Sequence, residues 1–396
     1  MIIDCDTHIM PEDAFDYVPE EFRDKAPFPV YSEEGLLIDM EFPGGPPEVH
    51  GVTPLGAPGS GAKMKGLVDL QVRLDEMPVL GVDQQFVLPQ FSGWWTYMIE
   101  PELASAIARS YNLSNLRMME RHDCLVGVAI VQLQDVPAAI REMEWAQKEG
   151  FCAVVLDKVF PVQDHPYGES LGSHKELWPF FARAEEMEMP IFLHNIQHGH
   201  RISNLPNFQK DGLYLFAPQE GQVSLVSLVT SGLLDDFPGL QFIFTEAGTG
   251  FIRPLVERLD AAFAGPPVDY DGDADADVMR GVKAKLRRHR AFYGPEVFLE
   301  KNKQPASHYF RNNFYFTIET EEAALPDAID FLGAERFLFA TDYPHDDPGG
   351  SMKFRDVQLL AVNKNISEET KELIRHGNAE RLFKLDRGAK RATIDR

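Results

Sequence analysis

Eight short apolar runs, spread over nearly the whole chain, constrain this sequence more than any other feature. They are Ile2–Asp6, Gln85–Leu88, Leu125–Val131, Phe151–Leu156, Pro190–His194, Gln241–Glu246, Asn313–Thr317 and Arg336–Asp342. Most are continuous rather than alternating, the pattern of parallel strands buried on both faces. Parallel neighbours need crossover connections, and the intervening segments supply them. Pro101–Arg121, Pro137–Gly150, Leu177–Met189, Val223–Leu234, Gly250–Phe263 and Glu368–Phe383 read as helices, the second stopped by Gly150. Eight strands alternating with helices predict an α/β protein, a (β/α)8 barrel occupying residues 1–396 as one unit. A doubly wound open sheet is the alternative topology.

Two stretches fall outside the repeat and read as insertions. Residues 10–70 follow the first strand, and their Gly- and Pro-rich part, 43–66, is incompatible with regular structure. This part reads as a surface loop or a subunit-contact arm, so a homodimer is expected. Residues 265–312 lie between strands six and seven. The run Asp269, Asp271, Asp273 there lacks the Gly and Glu of a calcium loop and reads as a solvated acidic segment.

Charge and targeting signals narrow the function classes. With 62 Asp and Glu against 38 Lys and Arg, the net charge of −24 argues against nucleic acid or an anionic membrane as partner. No apolar run approaches the ~18 residues of a membrane span. The opening MIIDCDTHIM has neither the basic region nor the apolar core of a signal peptide, so a cytoplasmic location is expected. Cys5, Cys124 and Cys152 are too scattered for a disulfide framework or a Cys-x-x-Cys metal site.

The chemistry is carried by where polar residues fall. Barrel enzymes place functional groups at the C-terminal ends of their strands. Strand one ends in Asp6-Thr7-His8, strand five in His194, strand six in Glu246 and strand eight in Asp342. Spacing of i, i+2 on an extended strand aims Asp6 and His8 to one side. Two imidazoles and two or three carboxylates make a ligand set for a divalent cation. Zn, Mn and Fe(II) all suit it, as one or two ions per chain.

The segments IIDCDTHIMPED, GVDQQFVLP, LWPFFARAEEMEMPIFLHN, FPGLQFIFTEAGTGFIRPLVERLD, RNNFYFTIE, FLFATDYPH and NAERLF resemble the amidohydrolase-related group of the amidohydrolase superfamily. That branch is typified by aminocarboxymuconate-semialdehyde decarboxylase and the aromatic-acid decarboxylases. The resemblance implies a (β/α)8 barrel with a catalytic metal at Asp6, His8, His194 and Asp342. Two departures stand out. The first ligand is Asp6, where the family pattern has His or Glu. Glu246 falls where the decarboxylases carry a His, and Thr249 falls near their usual Glu. Glu246 is therefore expected to be a ligand or a general base. Lys158 sits near where binuclear relatives carry a bridging carbamate.

From this replacement the expected activity is metal-dependent hydrolysis of an ester, thioester or amide of a small carboxylic-acid-derived substrate. Asp342 or Glu246 would take a proton from metal-activated water, with His345 hydrogen-bonding to the aspartate or the substrate. His198 and His200 after strand five, and Trp94, Trp95 and Tyr97 after strand two, are the expected substrate contacts. The alternative is a nonoxidative, metal-dependent decarboxylase of an aromatic or unsaturated acid.

Overall fold

A computed structural model describes residues 1–31, 33, 37–45, 65–90, 100–157, 159–160, 169–172, 174–194, 219, 221–264, 302–345 and 355–385. All eight apolar runs form parallel strands. They are β1 (Ile3–Ile9), β2 (Gln84–Pro89), β3 (Leu125–Gly127 and Ala129–Ile130), β4 (Val154–Asp157), β5 (Ile191–His194), β6 (Phe242–Phe244), β7 (Phe314–Thr317) and β8 (Phe337–Leu338). The third run is broken at Val128, so its first half pairs with β2 and its second half with β4. From β4 onward each strand pairs with the next, through to β8. The ring closes where the segment after β8 returns to β1. The Cys5 N–H donates to Phe339 O at 2.8 Å, Asp342 N–H to Asp6 O at 3.0 Å and His8 N–H to Tyr343 O at 2.7 Å. The expected (β/α)8 barrel is the fold that forms.

Side chains alternate between two cores, as parallel strands require. Val87, Val154, Ile191, Phe242, Phe314 and Phe337 pack outward against the helices. Phe86, Val155, Phe192, Ile243, Tyr315 and Leu338 belong to the inner cluster. Phe383, from the C-terminal segment, joins that cluster. Its ring lies 4.2 Å from Phe86 and is parallel to Phe192 at 5.8 Å, centroid to centroid.

The connections form as helices for local reasons. Asp69 caps α1 (Leu70–Leu80) by accepting from the N–H groups of Gln71 and Val72, and Gly81, at φ 79°, ends it. Pro101–Arg121 forms α2, and Asp135 caps α3 (Val136–Lys148). Trp178–Glu186, Ile252–Ala264, Ala306–Asn313 and Leu325–Leu332 form α4 to α7. No helix among the described residues is long and apolar enough to cross a membrane.

The expected insertions need correction at their edges. Residues 65–67 and α1 are part of the barrel wall, because the Met10 N–H donates to Leu67 O at 2.8 Å. Helix α6 is the crossover into β7, so the expected second insertion ends before it. Within the first insertion, Phe28–Tyr31 and Leu37–Glu41 pair as an antiparallel hairpin. The rest of the Gly/Pro stretch and the acidic run lie outside the described residues.

Phe383→Ala removes a ring packed into the strand cluster. A loss of about 3–5 kcal/mol is expected, read as a lower urea midpoint at unchanged slope. An unchanged midpoint contradicts this role for Phe383.

Candidate metal centre

The strand ends converge as the barrel geometry demands, with two local devices that aim them. In β1 the register against β2 slips between Asp4 and Thr7, a β-bulge. Asp4 pairs with Gln85 and Thr7 with Val87, so β1 carries one extra residue across this step. His8 then pairs with the inward residue Leu88, and Asp6 Oδ1 stands 3.8 Å from His8 Nε2. The second device is backbone strain. Glu246 and Asp342 occupy left-handed conformations, at φ 47° and 54°, which cost a non-glycine residue about 1–3 kcal/mol. In Glu246 this breaks the alternation of β6 and turns the carboxylate toward His194.

His8 Nε2 is the hub. It lies 3.2 Å from Glu246 Oε1, 3.1 Å from Asp342 Oδ1 and 3.8 Å from Asp6 Oδ1. The same Glu246 oxygen is 3.0 Å from His194 Nε2. The two imidazoles meet edge to face at 4.7 Å. His345 stacks on His8 at 4.4 Å, and its Nδ1 lies 2.9 Å from Asp342 Oδ1. Its Nε2 is 2.8 Å from Gln90 Oε1. His8 and Asp6 are fully buried, while Glu246, Asp342 and His345 retain 22–25% exposure and so form the side open to a substrate.

The donor set fits a divalent cation. One imidazole N–H cannot serve three carboxylates, and Asp6 Oδ1 is buried without a hydrogen-bond partner, a costly state in the absence of a compensating charge. Oxygen and nitrogen donors of Asp6, His8, His194 and Glu246 lie within 4.8 Å of one another, as do those of His8, Glu246, Asp342 and His345. Burial drives the Asp6 carboxyl well above its usual range; His8 pulls it down, and Glu246 and Asp342 add to the rise. For His8, burial works to lower the value, but Asp342 and Glu246 override it and raise it to about 10. Burial would also raise Glu246, yet His194 and His8 hold it well below the carboxylate range.

All six residues expected at the centre, Asp6, His8, His194, Glu246, Asp342 and His345, are brought together. Trp94, Trp95, Tyr97, Lys158, His198 and His200 lie outside the described residues. Two neighbours escaped the sequence reading. Gln90 ends the run after β2, and Asp157 ends β4 in register with His194 and is buried. The strand-end rule applied to Asp157 as much as to Asp342. Gln90 carried no signal, because it matters only through His345.

Comparison with known proteins places the chain in a family. The family model described as Amidohydrolase matches residues 3–385. The chain belongs to the amidohydrolase family. Its curated relatives include the gamma-resorcylate decarboxylase of Rhodococcus jostii strain RHA1, 28% identical over 298 residues, which cover 73% of this chain and 79% of the relative. The enzyme of the same name from Polaromonas sp. strain JS666 is 27% identical over 272 residues, 66% of this chain and 71% of the relative. Among solved structures, the dihydroxybenzoic acid decarboxylase of Polaromonas sp. JS666, with bound manganese and the inhibitor 2-nitroresorcinol, superposes with a TM-score of 0.67 at 20% identity. It covers 98% of both chains.

These relatives correct the expectation of ester, thioester or amide hydrolysis. They are decarboxylases, and the replacement that motivated hydrolysis does not require it. Glu246 sits between two imidazoles, and a carboxylate there is compatible with activation of either water or a carboxylic acid.

Metal binding requires neutral imidazole and ionised carboxylate. Manganese binding at pH 7 is therefore expected to expel on the order of one to two protons, from His8 and Asp6. Calorimetry in buffers of different ionisation enthalpy measures this, and a heat independent of the buffer contradicts the reading of the cluster.

Proposed function

We propose that this protein is a metal-dependent, nonoxidative decarboxylase acting on an aromatic acid with a hydroxyl beside its carboxylate. One observation carries the reading: the two overlapping donor clusters, Asp6–His8–His194–Glu246 and His8–Glu246–Asp342–His345, in a chain whose curated relatives include gamma-resorcylate decarboxylases. Asp6, His8, His194 and Asp342 would hold the cation, and Glu246 would add a fifth donor. A bound divalent ion supplies the positive charge that anchors the substrate's carboxylate and hydroxyl oxygens.

The chain's own residues account for the rest. The reaction breaks the bond between ring carbon and carboxylate, releases CO₂ and places one proton on the ring carbon. His345 is suited to hold that proton. Its imidazole is a quarter exposed at the open side of the cluster, fixed by Asp342 on Nδ1 and Gln90 on Nε2. Exchange of the Gln90 contact for substrate frees the Nε2 proton while the Asp342 bond keeps the ring in place, which supports a general-acid role. Trp94 and Trp95 after β2, and His198 and His200 after β5, follow strands that end at the site and are the proposed substrate wall. Substrate is then a small molecule, and a homodimer is the proposed assembly.

The test is CO₂ release by the manganese-loaded protein from a panel of 2-hydroxybenzoates that includes 2,6-dihydroxybenzoate. Turnover of at least one is expected, and His345→Asn should lower kcat by about 10²–10⁴-fold with little change in manganese content. No CO₂ from any member of the panel, together with turnover of p-nitrophenyl esters, overturns the reading.

A further inference from the structure

Behind the cluster, on the outer side of the barrel wall, lies a buried cation that none of the chemistry above uses. Arg73, on α1, has no solvent exposure. Its guanidinium makes four hydrogen bonds, and every acceptor is neutral. Nε donates to Gly66 O at 3.1 Å. Nη1 donates to Thr7 Oγ1 at 3.1 Å and to Gln85 Oε1 at 2.9 Å. Nη2 donates to the backbone oxygen of His8. The carbon of the guanidinium sits 4.8 Å from the centre of the Tyr343 ring. Burial lowers the guanidinium to about 10, so it is still a cation at neutral pH.

These contacts fall on the backbone that carries the metal donors. Thr7 lies between Asp6 and His8, and its own hydroxyl donates to Phe86 O at 2.8 Å. His8 is held on both sides of its peptide unit. Its N–H donates to Tyr343 O, and its C=O accepts from Arg73. Tyr343 follows Asp342 directly. Its hydroxyl bonds Glu76 of α1, and it packs so closely on Gly66 that a Cβ there would stand 1.7 Å from the hydroxyl oxygen. The chain continues beyond Gln85, whose amide faces Asp4 Oδ2 at 3.5 Å. Asp4 in turn accepts from Thr341 N–H at 3.0 Å and Thr341 Oγ1 at 2.6 Å, one residue before Asp342.

From this network we infer that Arg73 is a positioning residue for the metal centre, fixing the β1 and β8 strand ends so that His8 and Asp342 present their donors to one ion. A guanidinium hydrogen-bonded only to neutral acceptors is expensive to bury, since burial of an ion costs several kcal/mol and the nearby Asp4 and Glu76 carboxylates offset only part of it. A helix–strand contact needed for stability alone is supplied by apolar packing at no such cost. What the fork adds is geometry. It reaches Thr7, His8, Gln85 and Gly66 from one rigid plane, which Lys cannot do. The inference rests on the metal-site reading of the cluster and is independent of which bond the enzyme breaks.

Calorimetric titration with manganese tests it on wild type, Arg73→Met, Arg73→Lys and a control, Leu332→Ala. Leu332 is a buried core residue of α7 that makes no part of the network. Arg73→Met is expected to raise the manganese Kd by about 10–100-fold, with Arg73→Lys intermediate. Leu332→Ala should lower the melting temperature and leave the Kd unchanged. Wild-type Kd in Arg73→Met overturns the inference, as does an equal loss in Leu332→Ala. Should Arg73→Met fail to fold, Arg73→Lys decides, and a wild-type Kd there overturns it. Failure of wild type itself to bind manganese would overturn the metal-site reading instead, so the two failures are distinguishable.

Discussion

The structure depends on a charge imbalance at one buried nitrogen. Three carboxylates, Asp6, Glu246 and Asp342, converge on His8 Nε2. One imidazole N–H satisfies at most one of them well. Burial lifts the Asp6 carboxyl well above its usual range, and the neighbouring carboxylates of Glu246 and Asp342 add to the rise. A divalent cation resolves the conflict by giving each oxygen, and each imidazole, a common partner. The unusual features of the barrel's upper rim serve this convergence: the bulge in β1, the left-handed backbone at Glu246 and Asp342, and the closure bonds that tie Asp342 to Asp6 and His8 to Tyr343.

Metal ligands must be held while strain and repulsion push them apart. The inner face of the barrel cannot do this, because it is apolar below the site. Restraint comes from the outer face, through Arg73, Gln85, Asp4 and Thr341, which join α1, β1, β2 and the end of β8. Asp4 shows what this costs. Burial lifts its carboxyl to about 7 even though Thr341 donates to both oxygens. The polar residues of β1 thus divide by face: Asp6 and His8 turn to the ion, Asp4 and Thr7 to the frame.

Much of this was legible in the sequence. Continuous apolar runs identified all eight strands, and strand-end position identified Asp6, His8, His194, Glu246 and Asp342 without reference to tertiary structure. The boundaries were less legible. Residues 65–67 read as part of the 10–70 insertion until Leu67 is seen bonded to Met10. Arg73 carries no signal in the sequence, because burial of a cation is a tertiary property with no local pattern. The bulge was equally hidden, since i, i+2 spacing alone already suggested that Asp6 and His8 share a face. The reaction was misjudged for a physical reason. A Glu in place of a His alters the donor set, but a donor set alone does not decide which bond of a substrate is broken.

Anomalous scattering at the manganese edge, from crystals grown with the metal, tests the central claim most directly. One strong peak is expected, enclosed by His8 Nε2, His194 Nε2 and the carboxylates of Asp6 and Asp342, with Glu246 as its further neighbour. A manganese peak elsewhere on the barrel, or none beside His8 at saturating metal, would contradict the account.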